Sequence, residues 1–169
     1  MTDNTVKFIG EVSKVSEQNG AWVIEWPRSA THFHTYGKLT PYFKGLAEGK
    51  LMVTRCVNAG CPIAKGNGET WLPPRADCPD CHAPMQWHEV PKPIVGKVYS
   101  YTYVKRGGTG LEIETPYYQI DVELEGCCTI PKGYLLDVGR EPKIGMKVTP
   151  VFRTKDPTHT SLDIAWKAL

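Results

Sequence analysis

Short apolar runs separated by turn-forming residues recur along most of this 169-residue chain, and one stretch carries a helical pattern instead. Within residues 6–26 two apolar-rich runs flank Gln18-Asn19-Gly20, and Asn-Gly between such runs predicts a β-hairpin. Residues 27–38, PRSATHFHTYGK, hold no sustained period and are expected to form a linker or arm. In the helical stretch that follows, Thr40 is placed to cap, Pro41 fits the first turn and Gly49 supplies the stop. Tyr42, Phe43, Leu46 and Ala47 share one side at helical spacing, while Lys44 and Glu48 lie elsewhere. This apolar face either packs on its own domain or docks on a partner.

Beyond the helix, LMVTR (51–55) predicts a strand leading into Cys56, and TWLPPRADCPDC brings the chain back to a second cysteine pair. After Val95 come four strand-like runs, VGKVYSYTYV, PYYQIDVEL, CCTIPKGYLLDV and MKVTPVF, with SLDIAWKAL as a fifth. Their Gly-, Pro-, Asp- and Lys-containing connections suit a small closed barrel, and five strands in this length suggest an OB-fold. The expected class is mostly β, divided into an N-terminal hairpin and arm (1–36), a helix plus cysteine-bearing ribbon (37–90) and the barrel (91–169). No solenoid-period repeat or low-complexity segment interrupts it.

Composition agrees with a folded, strand-rich and turn-rich protein: 41% hydrophobic and 22% charged residues, with 16 Gly and 14 Pro. No apolar run approaches the roughly 20 residues that span a bilayer. The opening MTDNTVKFIGEV lacks the basic start and apolar core of a signal peptide, so the expected compartment is the cytoplasm. In a reducing compartment, six cysteines with paired spacings point to metal ligands rather than disulfides. Counting four thiolates and a divalent ion brings the formal charge of +2 to zero. A nucleic-acid partner therefore loses its simplest electrostatic support.

The candidate ligands run Cys56-x4-Cys61, sixteen residues, then Cys78-x2-Cys81. Zinc ribbons place each such pair on a tight turn, so that two sulfurs from one turn meet two from the other. Four thiolates close the coordination shell, which makes the expected zinc structural rather than catalytic. A small module with few apolar residues needs such a staple. His82 follows Cys81 and could displace a thiolate, although an exposed turn residue is the plainer reading. A metal-free redox pair is the remaining alternative.

The succession PYFKGLAEGKLMVTRC, LPPRADCPDC, MQWHEV and VGKVYSYTYV resembles bacterial and archaeal proteins that join a helix, a rubredoxin-like zinc ribbon and an OB-fold, over roughly residues 37–169. Glu48-Gly49, Pro73-Pro74-Arg75, Trp87 and Gly96 to Ser100 carry the likeness. The resemblance implies an accessory role beside thiolase-superfamily enzymes, which make or break carbon–carbon bonds next to a CoA thioester. The catalytic cysteine and histidines would then lie on the thiolase-like partner of a hetero-oligomer. This chain would be a noncatalytic subunit holding structural Zn2+, with a CoA thioester bound at the level of the complex. The first cysteine turn departs from the family's C-x2-C form by being enlarged to Val57-Asn58-Ala59-Gly60, IAKGNGETW is longer than usual, and residues 1–35 lie outside the resemblance. Long forms of this sort resemble the small subunits of benzoylsuccinyl-CoA thiolases.

On this reading Tyr42, Phe43 and Leu46 are candidate partner contacts, and Lys105 and Arg106, in the loop between the first two barrel strands, could meet CoA phosphates or an acidic partner surface. A plain hairpin loop is the simpler reading of Lys105–Gly110. Tyr99, Tyr101 and Tyr103 alternate along one strand and should share a face, where barrel packing or a protein interface is expected over base stacking. Cys127 and Cys128 are expected to be strand residues facing opposite ways. His32 and His34, and Glu112 and Glu114, have i,i+2 geometry without further support for a site. A Ser/His/Asp order, a nucleophile elbow and a P-loop are all missing from the sequence. The chain is thus not expected to be catalytic alone, and a free-standing nucleic-acid-binding OB module is the rival reading.

Overall fold

The computed structural model describes residues 14–25, 31, 33–107, 114–136 and 139–169. The chain divides into two compact units, Met1–Thr35 and Tyr36–Leu169. In the first unit, β1 (Lys14–Gln18) pairs antiparallel with β2 (Ala21–Glu25) in the register Val15↔Ile24 and Glu17↔Trp22. Asn19 and Gly20 close the turn at φ +53° and +77°, the positive angles expected of the Asn-Gly signal. Cross-strand pairing places Val15, Trp22 and Ile24 on one face.

The second unit begins with a 3-10 turn, Gly37–Leu39, that runs directly into α1 (Thr40–Ala47). Thr40 is therefore the first helical residue and not the cap, and its Oγ1 donates back to the Gly37 carbonyl at 2.7 Å. Pro41 does occupy the first turn. At the other end Gly49 takes φ +75°, its N–H bonds to Leu46 O and Lys50 N–H bonds to Gly45 O, which together satisfy the last carbonyls in a Schellman arrangement. Gly45 lets the helix approach the ribbon closely, since a Cβ there would stand 2.5 Å from Met52 Cγ.

The ribbon consists of β3 (Met52–Arg55), β4 (Thr70–Trp71) and β5 (Gln86–Glu89) in the antiparallel order β4-β3-β5. The barrel follows with β6 (Gly96–Val104), β7 (Tyr117–Leu124), β8 (Lys132–Leu135), β9 (Lys147–Phe152) and β10 (Ile164–Ala168). Its closed order is β10-β8-β7-β6-β9, with β10 parallel to β8 and antiparallel to β9. Five strands closed in this order form an OB-fold, as the runs predicted.

Two local expectations fail for tertiary reasons. Cys127 and Cys128 are not strand residues; they belong to the connection before β8. Cys127 bridges to Thr70, Cys128 N–H donates to Thr70 O at 2.9 Å, and the Thr129 hydroxyl both accepts from Leu72 N–H (3.0 Å) and donates to Leu72 O (2.6 Å). The segment leaves the barrel to stitch β4 of the ribbon. The tyrosine row also breaks. An irregularity in the register pairs Val98 with Val122 and then Ser100 with Asp121, so Tyr99 has no partner on β7 and drops out of the face shared by Tyr101 and Tyr103.

One apolar core runs through helix, ribbon base and barrel. Leu46, Leu51, Val53 and Leu72 pack in the same cluster as Ile94, Val98, Ile120, Val122, Leu135, Val148, Ile164 and Trp166. The ribbon tip forms a second, much smaller cluster of Cys56, Cys61, Cys78 and Met85, with Ala64, Trp71 and Cys81 at its edge. Buried Asp163 fastens the loop before β10 by accepting from Thr158 N–H (2.7 Å), Thr158 Oγ1 (2.8 Å) and His159 N–H (2.8 Å). Among the described residues no helix is long and apolar enough to cross a membrane.

The barrel core has little room to yield at β8, where a Cβ on Gly133 would lie 2.6 Å from the ring of the fully buried Trp166. Gly133→Ala is expected to lower unfolding stability by about 1–3 kcal/mol, read as a reduced urea midpoint with unchanged slope; an unchanged midpoint would show that the ring has space to move.

Candidate metal centre

The four cysteines predicted as ligands converge. Their sulfurs all lie within 4.8 Å of one another, with Cys56 Sγ 3.8 Å from Cys81 Sγ and Cys61 Sγ 3.9 Å from Cys78 Sγ. Zn–S bonds of about 2.3 Å in a regular tetrahedron would set the S–S edge near ~3.8 Å, so the cross-turn spacings fit a tetrahedral thiolate shell. Cys56, Cys61 and Cys78 are buried and Cys81 is partly exposed. No disulfide links the six cysteines.

Local backbone geometry explains the convergence. On the second turn, Cys78 N–H bonds to Ala83 O and His82 N–H to Cys78 O, both at 2.9 Å, and His82 takes φ +59° so that the chain can reverse. His82 is exposed and lies outside the four-sulfur cluster. On the first turn, Asn58 O accepts from Cys61 N–H at 3.0 Å, Lys65 N–H bonds to Cys61 O, and Ala64 N–H reaches Cys61 Sγ at 3.3 Å. Arg55 fastens the following loop through Gly68 O and Asn67 Oδ1.

Electrostatics divide the sulfurs. The Ala83 N–H and then the Asn58 side-chain amide hold the Cys81 thiol down to about 6. Cys56 receives an N–H from Asn58, yet burial and the three neighbouring sulfurs push it up to about 12. Four thiols this close cannot all ionise cheaply without a compensating cation. A divalent ion would supply that compensation, and four sulfurs leave it no open position for substrate or water.

The remaining candidates are dispersed. Leu46 is completely buried in the chain's own core and cannot serve as a contact for another protein. Tyr42 packs against that core, where burial pushes its phenol up to about 12, and Phe43 stacks on Tyr36 at 3.6 Å between ring centroids. Tyr42 and Phe43 keep partial exposure. Lys105 and Arg106 are exposed just beyond β6, and residues 108–113, including Glu112, lie outside the described residues, as does His32. Tyr101, Tyr103 and Tyr118 form a packed aromatic group, with Tyr101 OH donating to Glu141 at 3.2 Å. Asn58 reaches Cys81 Sγ from the opposite turn at 3.5 Å, a contact that pattern reasoning passed over; the one available signal was an Asn inside a turn, where Asx geometry is favoured.

Comparison with known proteins gives this geometry a setting. Residues 87–153, from the last ribbon strand through β9, match the family described as ChsH2, C-terminal OB-fold domain. Over those residues, four of the five barrel strands are similar to that domain. A DUF35 domain-containing scaffold protein of Methanocaldococcus jannaschii is 34% identical over 90 residues, 53% of this chain. The match spans 63% of that relative's length. Two solved structures share the fold. One is a DUF35-family protein of unknown function from Sulfolobus solfataricus, with TM-score 0.55, 19% identity, and 80% and 87% of the two chains covered. The other is an Ltp2-ChsH2(DUF35) aldolase, with TM-score 0.51, 24% identity, and coverage of 75% and 89%. These likenesses bear out the resemblance to OB-fold accessory proteins drawn from Pro73-Pro74-Arg75 and Gly96 to Ser100.

Cobalt(II) titrated into the reduced chain is expected to bind at one equivalent with a tetrahedral thiolate spectrum. His82→Gly should keep both stoichiometry and spectrum, because glycine accepts that φ and the side chain is not a ligand, whereas Cys78→Ser should lose the spectrum. Loss of binding in His82→Gly would instead make the histidine a ligand.

Proposed function

We propose that this chain is a noncatalytic zinc-binding subunit of a thiolase-type acyl-CoA enzyme complex, supporting its assembly and the passage of acyl-CoA. The observation that carries the reading is a ChsH2-type OB-fold joined to a closed four-cysteine cluster. A relative of this chain is named a scaffold protein, and a fold neighbour is an Ltp2-ChsH2 aldolase. A scaffold needs a rigid surface more than it needs a reactive group, and a shell closed by four thiolates supplies rigidity. Zinc is the ion proposed, since soft thiolates in a tetrahedral S4 set suit it and it brings no redox chemistry of its own. Metal-ligating thiolates suit a reducing compartment, and the cytoplasm is the compartment proposed.

Within that complex the nucleophilic cysteine and the histidines belong to the thiolase-like partner. Tyr42 and Phe43 are proposed to meet the partner at the exposed rim of α1, and Lys105 and Arg106 to face CoA phosphates or an acidic partner surface. The enlarged first cysteine turn and the N-terminal hairpin favour the benzoylsuccinyl-CoA thiolases as the acyl-CoA branch served.

Affinity purification of the full chain from its native cells is expected to bring down a thiolase-sized subunit in a fixed ratio. Restoring the chain to that subunit should restore carbon–carbon bond turnover on an acyl-CoA. Lys105→Glu combined with Arg106→Glu should weaken either assembly or acyl-CoA use by about tenfold at low salt, and unchanged behaviour in both removes the role given to the loop. Salt-sensitive binding to single-stranded nucleic acid, without an enzyme partner, would favour the rival reading.

A further inference from the structure

The Cys56–Cys61 turn holds four intervening residues where the opposite turn holds two. Extra residues between two ligands add conformations that must be frozen whenever the sulfurs are gathered. Asn58 makes several of the contacts that remove that freedom. Its carbonyl accepts from both Cys61 N–H and Gly66 N–H at 3.0 Å, which ties the turn to the loop behind it. Its Oδ1 accepts from Gly60 N–H at 3.0 Å, closing an Asx turn. Its Nδ2 crosses to the opposite turn and donates to Cys81 Sγ at 3.5 Å.

We propose that Asn58 is a positioning residue for the metal site, a latch whose side-chain oxygen shapes the enlarged turn while its amide covers and orients the Cys81 thiolate. The inference rests on the reading of the four cysteines as a metal centre. Cys81 is the one residue of the four that is only partly buried, and on this proposal it is the ligand that a chelator reaches first. An N–H donated to a metal-bound thiolate withdraws part of its charge and fixes the direction of its lone pairs, so loss of the donor leaves the most accessible ligand the easiest to detach. The two functions of the side chain are separable. Serine keeps a neutral acceptor for Gly60 but is too short to reach Cys81; aspartate keeps the acceptor, lacks the donor and adds a negative charge beside the sulfurs.

The test uses the full chain loaded with zinc or cobalt(II). It follows release of zinc to a chromogenic chelator and the sulfur-to-cobalt charge-transfer band. Asn58→Ser is expected to release zinc about 10–100 times faster than the unaltered chain and to shift the band, while the far-ultraviolet dichroism and the one-to-one stoichiometry persist. Asn58→Asp should release it at least as fast, and should it fail to load, Asn58→Ser alone carries the comparison. If Asn58→Ser matches the unaltered chain in both release rate and band position, the latch is overturned while the metal centre stands. If the unaltered chain binds neither ion, the metal reading falls and the latch with it.

Discussion

Gathering four cysteine sulfurs within 4.8 Å is the constraint on which the middle of this molecule depends. The ribbon tip has little apolar packing: its buried cluster contains the cysteines and Met85, with Ala64 and Trp71 at the edge. Four neutral thiols gain little from such proximity, and four thiolates repel one another. A bound divalent ion reverses the balance, with apparent binding energies on the order of 10 kcal/mol or more in small zinc modules. The hydrogen-bonded turns at Asn58 and His82 shape the two halves, and one amide contact, from Asn58 to Cys81, crosses between them.

The other end of the ribbon is held by different means. Leu51, Val53 and Leu72 enter the barrel's core, and Cys128 and Thr129 leave the barrel to bond Thr70 and Leu72. Ribbon base, helix and barrel are thereby one packed unit, and the ribbon tip has a small cluster of its own. Part of the apolar helix face packs on its own domain. Leu46 and the inner side of Tyr42 are used internally, so a partner surface on α1 is confined to its rim.

Several features were legible because they are set by local chemistry. Asn19-Gly20 specifies a tight turn through backbone preference alone, Gly49 ends a helix for the same reason, and cysteine spacing marks turns that present sulfur. The five barrel runs follow from apolar patterning. What could not be read depended on distant partners or on a single-residue shift. The irregularity at Tyr99 turns one tyrosine away from the row without a sequence mark, since nothing between Val98 and Ser100 differs from an ordinary strand. Cys127 and Cys128 look like strand residues until β4 is placed beside them. Thr40 has the chemistry of a cap, yet the 3-10 turn ahead of it extends the helical path and moves it inside. Asn58 was invisible as a site residue because its role depends on Cys81, 23 positions away.

The proposed function draws on two parts, a ribbon tip whose four cysteines could hold a metal ion and a barrel similar to the ChsH2 C-terminal domain. Its central physical claim is that metal ligation, and not apolar packing, holds the tip while the barrel stands independently. Hydrogen exchange followed by mass spectrometry, with and without a strong chelator under reducing conditions, addresses it most directly. The account predicts that amides of the two cysteine turns, around Cys61, Gly66, Cys78 and His82, exchange about 100-fold faster once metal is removed, while β6–β10 keep their protection. Unchanged protection in both turns after complete metal removal would contradict it.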